Sequence, residues 1–229
     1  FELEGALKKI VPLTKASGLT GEKILSIIAD SQGKIWAGTH GYGINIIKMG
    51  SSGNPPFKIT GLIISDSIPG YNVVYALQED NEGNIWIGTQ RNMAVLKGGK
   101  LQFLELVRDP TNTQKGGVST FSIIQDNTGK MWFGTFHGLF SYDGKKLTWY
   151  SKTEGMSTPV WSVYQDRENN IMVGTNSGLV RFSGGRFCSF SSSEGLINDE
   201  VWSIAEDDNR NLWIANHSGV SQIQANLSL

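Results

Sequence analysis

The most regular feature of the chain is a pattern of apolar and polar positions that occurs five times. Each copy has an apolar-rich run, an Asp, three turn residues and a second apolar run. The copies are ILSIIADSQGKIWAGT (24–39), VYALQEDNEGNIWIGT (74–89), TFSIIQDNTGKMWFGT (120–135), VWSVYQDRENNIMVGT (160–175) and VWSIAEDDNRNLWIAN (201–216). The equivalent Trp positions, with Met172 in the fourth copy, are 50, 46, 40 and 41 residues apart. Repeats of about 40 to 50 residues with one aromatic signature are typical of β-propeller blades.

Each copy predicts a four-stranded sheet. A first strand ends at the Asp turn and a second strand follows it, as at residues 201–206 and 212–215. The second strand is apolar on both faces, which suits a strand that lies between two neighbouring sheets. A third strand and a more polar fourth strand follow, for example at residues 179–182 and 187–190. The predicted fold class is therefore all-β, a propeller of five four-stranded blades.

The Asp turns and the Trp positions are interpreted as structural. An Asp side chain at the start of a turn accepts hydrogen bonds from backbone amides two residues on. The position three residues after the Asp is Gly in three copies, Asn169 in the fourth and Arg210 in the fifth. Gly and Asn adopt a positive φ at low cost, so Arg210 is the exception. The Trp residues are predicted to lie between blades, in the core.

The two ends of the chain predict how the propeller closes. The last copy ends after its third strand, near Gln224, whereas residues 7–14 and 17–19 match the fourth strand and linker of other copies at 187–190 and 194–196. The N-terminal strand would then complete the last blade, and residues 1–229 would form a single five-bladed domain. The alternative is an excised arc of a larger propeller. Residues 49–65 and 109–117, which lengthen the first two spacings, are interpreted as loops.

Composition and charge exclude some classes of partner. With 20 basic and 21 acidic residues, the net charge of −1 gives no electrostatic reason to expect nucleic acid or an anionic membrane. No apolar run is long enough to span a bilayer. Cys188 is the single cysteine, so an internal disulfide is excluded. The chain begins at Phe1 rather than Met, which indicates a mature or excised piece.

Three blocks of the repeat carry a resemblance to a known family. The blocks DSQGKIWAGTHGYG (30–43), DNEGNIWIGT (80–89) and DNTGKMWFGTFHGLFSY (126–142) resemble the two-component regulator propeller repeat. The resemblance implies a periplasmic or extracellular sensor propeller in a membrane-anchored parent protein. It implies a small-molecule or oligosaccharide ligand, and a histidine kinase as the signalling partner. A more distant similarity to streptogramin-lyase-like propellers implies the same fold with an enzymatic function.

Aromatic residues on the first strands are the leading candidates for ligand contact. In a propeller, the loop after the second strand lies on the same top face as the linkers between blades, and ligands commonly bind there or in the axial channel. Five residues before the Asp, the first copy has Leu25 and the other four have an aromatic residue. These four are Tyr75, Phe121, Trp161 and Trp202. Aromatic faces stack on planar ligands, and the alternative is that these residues pack between blades.

The loop after the second strand holds the remaining candidates, His40, His137, His217 and Arg91. The histidines could hydrogen-bond a ligand, form a three-His metal site, or be exposed or structural. Their offsets differ between copies and no carboxylate recurs beside them, so we predict no metal and no cofactor. Arg91 could pair with a sugar acid, or it is a solvated loop charge.

Three functions remain open at this point. The favoured one is ligand sensing at the top face by an extracytoplasmic propeller. The second is a protein-interaction scaffold, for example in a homodimer, which would need a contiguous apolar surface patch. The third is a lyase-like enzyme, which would need converging His or carboxylate groups. No catalytic constellation is recognised, so we expect no enzyme and name no catalytic residue.

Overall fold

The computed structural model describes residues 11–50, 57–106, 117–150 and 155–224, and the regular secondary structure of these ranges is almost entirely β-strand. Their nineteen strands form five antiparallel sheets of consecutive strands. Short 3₁₀ turns at Lys15–Ser17 and Ser192–Glu194 precede the first and fifth sheets. In the same ranges, no helix has the length and apolar character needed to cross a bilayer.

The strands follow the chain in order within each sheet. The first sheet contains β1 (Ile24–Ala29), β2 (Ile35–Thr39), β3 (Ile44–Met49) and β4 (Phe57–Leu62). The second contains β5 (Val74–Glu79), β6 (Ile85–Thr89), β7 (Asn92–Lys97) and β8 (Lys100–Leu104). The third contains β9 (Thr120–Gln125), β10 (Met131–Thr135), β11 (Gly138–Tyr142) and β12 (Leu147–Tyr150). The fourth contains β13 (Val160–Gln165), β14 (Ile171–Thr175), β15 (Gly178–Ser183) and β16 (Arg186–Phe190). The fifth contains β17 (Val201–Glu206), β18 (Leu212–Asn216) and β19 (Gly219–Ile223).

Consecutive sheets pack side by side through their first strands. β1 contacts β5, β5 contacts β9, β9 contacts β13, and β13 contacts β17. These five first strands therefore form the inner row of the assembly, and each sheet extends outward from it as a blade. The predicted all-β fold with five blades is confirmed.

The hydrophobic core lies between the blades. The cluster between the second and third blades joins Trp86 and Met93 to Ile123, Phe133 and Phe140. The second strands β6, β10 and β14 are buried along their whole length. This confirms the expectation from their two apolar faces, because each second strand has a neighbouring blade on both sides.

The Asp turn is held by a repeated set of hydrogen bonds. One carboxylate oxygen of Asp126 accepts the backbone amides of Thr128 and Lys130 at 2.9 and 3.0 Å. The other accepts the indole N–H of Trp132 at 2.7 Å. The same Asp–Trp bond measures 2.8, 2.8 and 2.9 Å in the first, second and fifth blades. The turn prediction is confirmed, whereas the Asp–Trp bond was not predicted, although the six-residue spacing is visible in the sequence.

The turn of the fourth blade lacks the Trp bond, because Met172 has no N–H to donate. Asp166 accepts the side-chain amide of Asn170 at 2.8 Å, and the equivalent Asn bonds to Asp80 and Asp207 occur beside the Trp bond in the second and fifth blades. The residues Asn169 and Arg210 take the turn position with positive φ values of 68° and 66°. Arg210 therefore adopts the left-handed conformation that its sequence position requires.

A second repeated bond joins each blade to the next, and we call it the latch. The backbone N–H of the residue after the turn Asp donates to a side-chain oxygen at the end of the next blade's first strand. The four pairs are Ser31 to Glu79 (2.7 Å), Asn81 to Gln125 (2.7 Å), Asn127 to Gln165 (2.9 Å) and Arg167 to Glu206 (2.9 Å). The latch ties consecutive blades together on the side of the Asp turns.

The fifth blade departs from the prediction in two respects. Trp213 was expected in the core with the other Trp residues, and it is 41% exposed. That expectation is wrong because no further blade covers this face in the described part of the chain. The predicted closing strand at residues 7–14 is not shown: residues 11–14 have no strand, and residues 7–10 lie outside the described ranges. The described fifth sheet ends at β19.

Candidate functional site

The blades present two different edges. The turn edge carries the Asp turns and the latches. The loop edge carries the loops after the second strands together with the linkers between blades, because hydrogen bonds join them: His40 N–H donates to Lys23 at 3.0 Å, and Phe136 N–H donates to Ser119 at 2.9 Å. The expectation that these loops share one face with the linkers is confirmed.

Every first strand has an irregularity at the same place near the loop edge. In the second blade, Val74 pairs with Thr89 and Ala76 pairs with Gly88, so Tyr75 is an extra residue without a partner. The same register shift occurs in the other four blades. The residues at this position are Leu25, Tyr75, Phe121, Trp161 and Trp202. A β-bulge re-aims a side chain out of the regular alternation, so a single backbone feature orients all five.

The four aromatic side chains at the bulges form a continuous row, which we call the aromatic ladder. The ring centroids of Tyr75 and Phe121 are 5.3 Å apart, and those of Phe121 and Trp161 are 4.9 Å apart. Trp161 and Trp202 stack with centroids 5.0 Å apart and planes 21° apart. The structure thus brings together the four aromatic residues predicted from the sequence. Trp202 ends the ladder and is 46% exposed.

Unpartnered polar atoms lie in the strands that carry the ladder. The indole N–H of Trp161 and the hydroxyls of Thr120 and Ser162 are buried and have no hydrogen-bond partner among the described residues. The equivalent hydroxyl of Ser122 accepts the Val163 amide at 3.0 Å. An unpaired buried polar group costs about 1 to 3 kcal/mol. The sequence does not mark Thr120 and Ser162 as such groups, because their burial arises from packing between blades.

The structure does not join the histidines into one centre. His40 and His217 are exposed, and His137 is half-buried, with its ring against Phe136 at 5.2 Å. In the described residues, no group of three or more His, Cys, Asp or Glu side chains is placed to hold a metal ion. Arg91 is exposed and lies against Gly117. These four residues lie at the loop edge, but only the aromatic residues form a connected surface.

The perturbed carboxyl groups of the repeat lie at the opposite, turn edge. The side chains of Asn211 and Trp213 donate to Asp207 and lower its pKa to about 2. Burial by itself raises the pKa of Asp126. Hydrogen bonds from Thr128, Trp132 and the backbone together lower it by more than burial raises it, so the pKa is below its ordinary value. These carboxylates are saturated with internal donors. They are therefore suited to holding the fold rather than to transferring protons.

Three of the cavities beside the described parts of the blades have linings that do not include the ladder. One of about 230 Å³ lies at the loop edge between Gly41 and residues 65–73. One of about 340 Å³ lies between the second and third blades, beside Asp80, Trp86 and Tyr142. One of about 80 Å³ lies between the fourth and fifth blades, beside Met172 and Arg210.

Solved structures show where this arrangement of blades occurs. The extracellular domain of a one component system from B. thetaiotaomicron has 18% identity and a TM-score of 0.70, over 88% of this chain and 27% of that one. The extracellular domain of a hybrid two component system from B. thetaiotaomicron has 25% identity and a TM-score of 0.62, over 92% of this chain and 34% of that one. Virginiamycin B lyase from Staphylococcus aureus has 16% identity and a TM-score of 0.64, over 88% of this chain and 70% of the lyase chain. The chain thus spans about a quarter to a third of the two extracellular domains, and no curated protein matches it.

A family model identifies the repeat itself. The model described as the two component regulator propeller matches residues 18–41, 67–91, 114–137, 154–177 and 195–218. Each match runs from the linker before a blade to the loop after its second strand, so it contains the bulge, the Asp turn and the Trp position once. These matches cover more than half of the sequence, and the chain therefore belongs to the two component regulator propeller family.

Proposed function

We propose that the chain is the ligand-binding part of an extracytoplasmic sensor, and that the aromatic ladder is its contact surface. The observation that carries the proposal is the bulge that recurs in all five blades and aligns Tyr75, Phe121, Trp161 and Trp202. Membership of the family and the likeness to two extracellular domains support an extracytoplasmic location. The parent protein would pass the signal to a histidine kinase.

The chemistry of the ladder favours a ligand with flat, weakly polar faces. Aromatic rings offer apolar area at low conformational cost, and Tyr and Trp add one hydrogen-bonding group each. The chain has a net charge of −1, and the ladder itself contains no charged side chain. A carbohydrate has such faces together with hydroxyls, and it is the ligand class that we propose. His40, His137, His217 and Arg91 lie in the surrounding loops and would contribute secondary polar contacts.

The lyase likeness does not extend this proposal to an enzyme. At 16% identity, it concerns the arrangement of blades alone. The carboxylates with shifted pKa values in the repeat turns are bonded to turn residues and lie away from the ladder. We therefore propose binding without turnover.

The experiment is a binding measurement with a matched pair of Trp variants. A panel of neutral and acidic oligosaccharides is screened by thermal shift, and any binder is titrated by calorimetry. Trp202→Ala should weaken binding about fivefold or more, because stacking contributes on the order of 1 kcal/mol per ring. Trp213→Ala is the control, since this Trp is in the same blade and is similarly exposed, but lies at the turn edge. Equal affinity of the two variants, or no shift of the wild-type protein by any member of the panel, would count against the proposal.

A further inference from the structure

Three residues that depart from the repeat line the same cavity. It measures about 80 Å³ and lies between the fourth and fifth blades, on the side of the Asp turns. Its lining includes Met172, which stands where the other four blades have Trp, and two arginines, Arg181 and Arg210. The side chains of the turn edge otherwise repeat from blade to blade, so the fold itself does not account for departures that cluster at one junction.

Arg181 is the charged residue of a position that is uncharged in the other blades. It lies on β15 and pairs with Met172 on β14. The residues that pair with the Trp position in the other blades are Ile46, Val95, Ser141 and Gln222. Arg181 is half-buried. Because Met172 is smaller than an indole, the long Arg side chain has room beside it.

Arg210 occupies a turn position that favours Gly. Its φ is 66°, and the equivalent residues are Gly33, Gly83, Gly129 and Asn169. Left-handed backbone is disfavoured for a residue with a β-carbon, and Gly and Asn tolerate it best. The turn uses only the backbone at this place: Arg210 N–H donates to the Asp207 carbonyl at 3.0 Å, and the equivalent Gly bonds measure 2.9 Å. The guanidinium group is therefore not needed for the turn.

Neither of the two guanidinium groups has a partner in the described residues. The salt bridges of these ranges involve other residues, and no side-chain hydrogen bond of either Arg occurs there. A guanidinium group carries about five N–H donors in a planar fork, which matches the two oxygens of a carboxylate. The cavity thus has one unpaired Arg from each of the two blades that form it.

Three carboxylates also line the cavity, and two of them already accept internal donors. Asp166 accepts the backbone amides of Glu168 and Asn170 and the side-chain amide of Asn170. Glu206 accepts the Arg167 amide at 2.9 Å. The third, Glu168, is exposed. These negative charges repel a doubly charged anion about twice as strongly as a singly charged one, so the cavity favours a monoanion.

Apolar side chains complete the character of the cavity. They are Met172, Phe190, Leu212 and Ile223. Apolar surface beside unpaired cations suits an anion that carries hydrocarbon, because the hydrocarbon leaves water while the charge is paired. A volume of about 80 Å³ has room for several water-sized groups, which fits a short carboxylic acid better than a sugar.

We propose that this cavity binds a short organic carboxylate, with the carboxylate group between Arg181 and Arg210 and the hydrocarbon part against Met172. The guanidinium fork forms paired, charge-assisted hydrogen bonds with a carboxylate, which gives the site its preference for this group. The site goes beyond the proposed function, since it lies at the turn edge and needs no contact with the ladder. Because its two arginines belong to different blades, a bound carboxylate stabilises the junction between them.

The test is an NMR titration of protein labelled with ¹⁵N-arginine, using sodium butyrate at constant ionic strength. The Nε–H resonances of the two arginines are assigned with Arg181→Val and Arg210→Gly, which introduce the residues of the second blade at these positions. Both resonances should shift with one common Kd in the millimolar range. The resonance of Arg167, which pairs with Asp208 outside the cavity, should not shift. Butyramide, which has the same hydrocarbon without the charge, should leave all of them unchanged, and sulfate should bind more weakly than butyrate.

The two variants also separate binding from folding. Arg210→Gly should weaken butyrate binding about fivefold or more, and it should not lower the urea midpoint of unfolding, because Gly suits the positive φ. Arg181→Val should give a loss of the same order, followed at the remaining Arg. The matched control is Arg167→Gln, which removes the same charge from the turn edge but does not line the cavity, and its Kd should stay within about twofold of the wild-type value.

Four results would overturn the proposal. If neither Arg resonance shifts at tens of millimolar butyrate, the cavity does not bind a carboxylate. Equal binding of butyramide would remove the role of the charge. Tighter binding of sulfate than of butyrate would contradict the preference for a monoanion that carries hydrocarbon. An Arg210→Gly variant that binds butyrate as tightly as the wild-type protein would show that Arg210 does not hold the ligand.

Discussion

The turn edge and the loop edge of the blades are built from one repeat, but they use it differently. At the turn edge, all five blades form the same Asp turn, and four of them join it to a Trp indole. At the loop edge, the backbone bulge recurs, but its side chain changes from Leu25 through Phe121 to Trp202. The Asp and Trp side chains that repeat at the turn edge are therefore those that the blades need to fold. The residue at the bulge varies between blades, so at the loop edge each blade can make different contacts on the same backbone.

The largest expected effect is the removal of a core Trp from the turn edge. Trp132→Ala should destabilise the protein by about 3 to 5 kcal/mol, because it removes a fully buried indole that packs between two blades. Trp202→Ala at the loop edge should cost less, about 2 kcal/mol, since nearly half of this side chain is already in water. Urea unfolding of both variants measures the difference. If the losses were equal, or reversed, the division of roles between the two edges would be wrong.

A smaller effect is expected from the turn carboxylate itself. Asp126→Ala should cost about 2 to 3 kcal/mol, because it leaves the buried Trp132 indole N–H and two backbone amides without their acceptor. Asp126→Asn retains one acceptor oxygen and should recover part of the loss. The comparison is made by chemical denaturation at pH 7. A neutral Asp126→Ala substitution would contradict the structural role that we assign to the turn.

The smallest effect concerns pH. The pKa values of Asp30, Asp80, Asp126 and Asp207 are all lowered in the folded protein, that of Asp207 to about 2. A lowered folded-state pKa contributes stability that is fully present well above the unfolded value of 3.8, and this stability is lost as the pH falls toward the folded value. We therefore expect the urea concentration at the unfolding midpoint to decrease as the pH is lowered from about 5 to about 2.

The pH effect has a control in the chain. Asp207→Asn should flatten the lower part of this pH dependence, because the substituted group no longer titrates. Ligand contact at the loop edge should be unaffected by the same substitution. An unchanged pH profile in the variant would show that other groups control the acid sensitivity.

Much of the fold could be predicted because the repeat is local. The Asp turn, the positive φ at Asn169 and Arg210, and the fully apolar second strands all depend on residues within about one strand of each other. The Asp–Trp bond was missed, although its spacing is equally local. The predicted equivalence of the segment before the first blade and the linker before the fifth blade is also correct. Both form a 3₁₀ turn that ends at a Gly with positive φ, which is Gly18 in the first and Gly195 in the second.

The candidate site could be predicted only in part. The four aromatic residues were identified from their common position, and the structure joins them into the ladder. Nothing in the sequence marks the bulge, because it depends on how Thr89 and Gly88 pair with the neighbouring strand. The histidines were grouped because they share a loop, but a shared loop places residues on one edge without bringing their side chains together.

The sequence by itself determined that this protein is a row of five blades, because each blade is specified by a short pattern that needs no distant information. It also determined which residues recur for structural reasons. Only the tertiary structure decided that Trp213 and Ile27 differ from their equivalents, since burial in a repeat protein is set by the neighbouring blade and not by the repeat. The bulges and the ladder were likewise decided in three dimensions, because pairing between strands and contact between blades are properties of the assembled sheets.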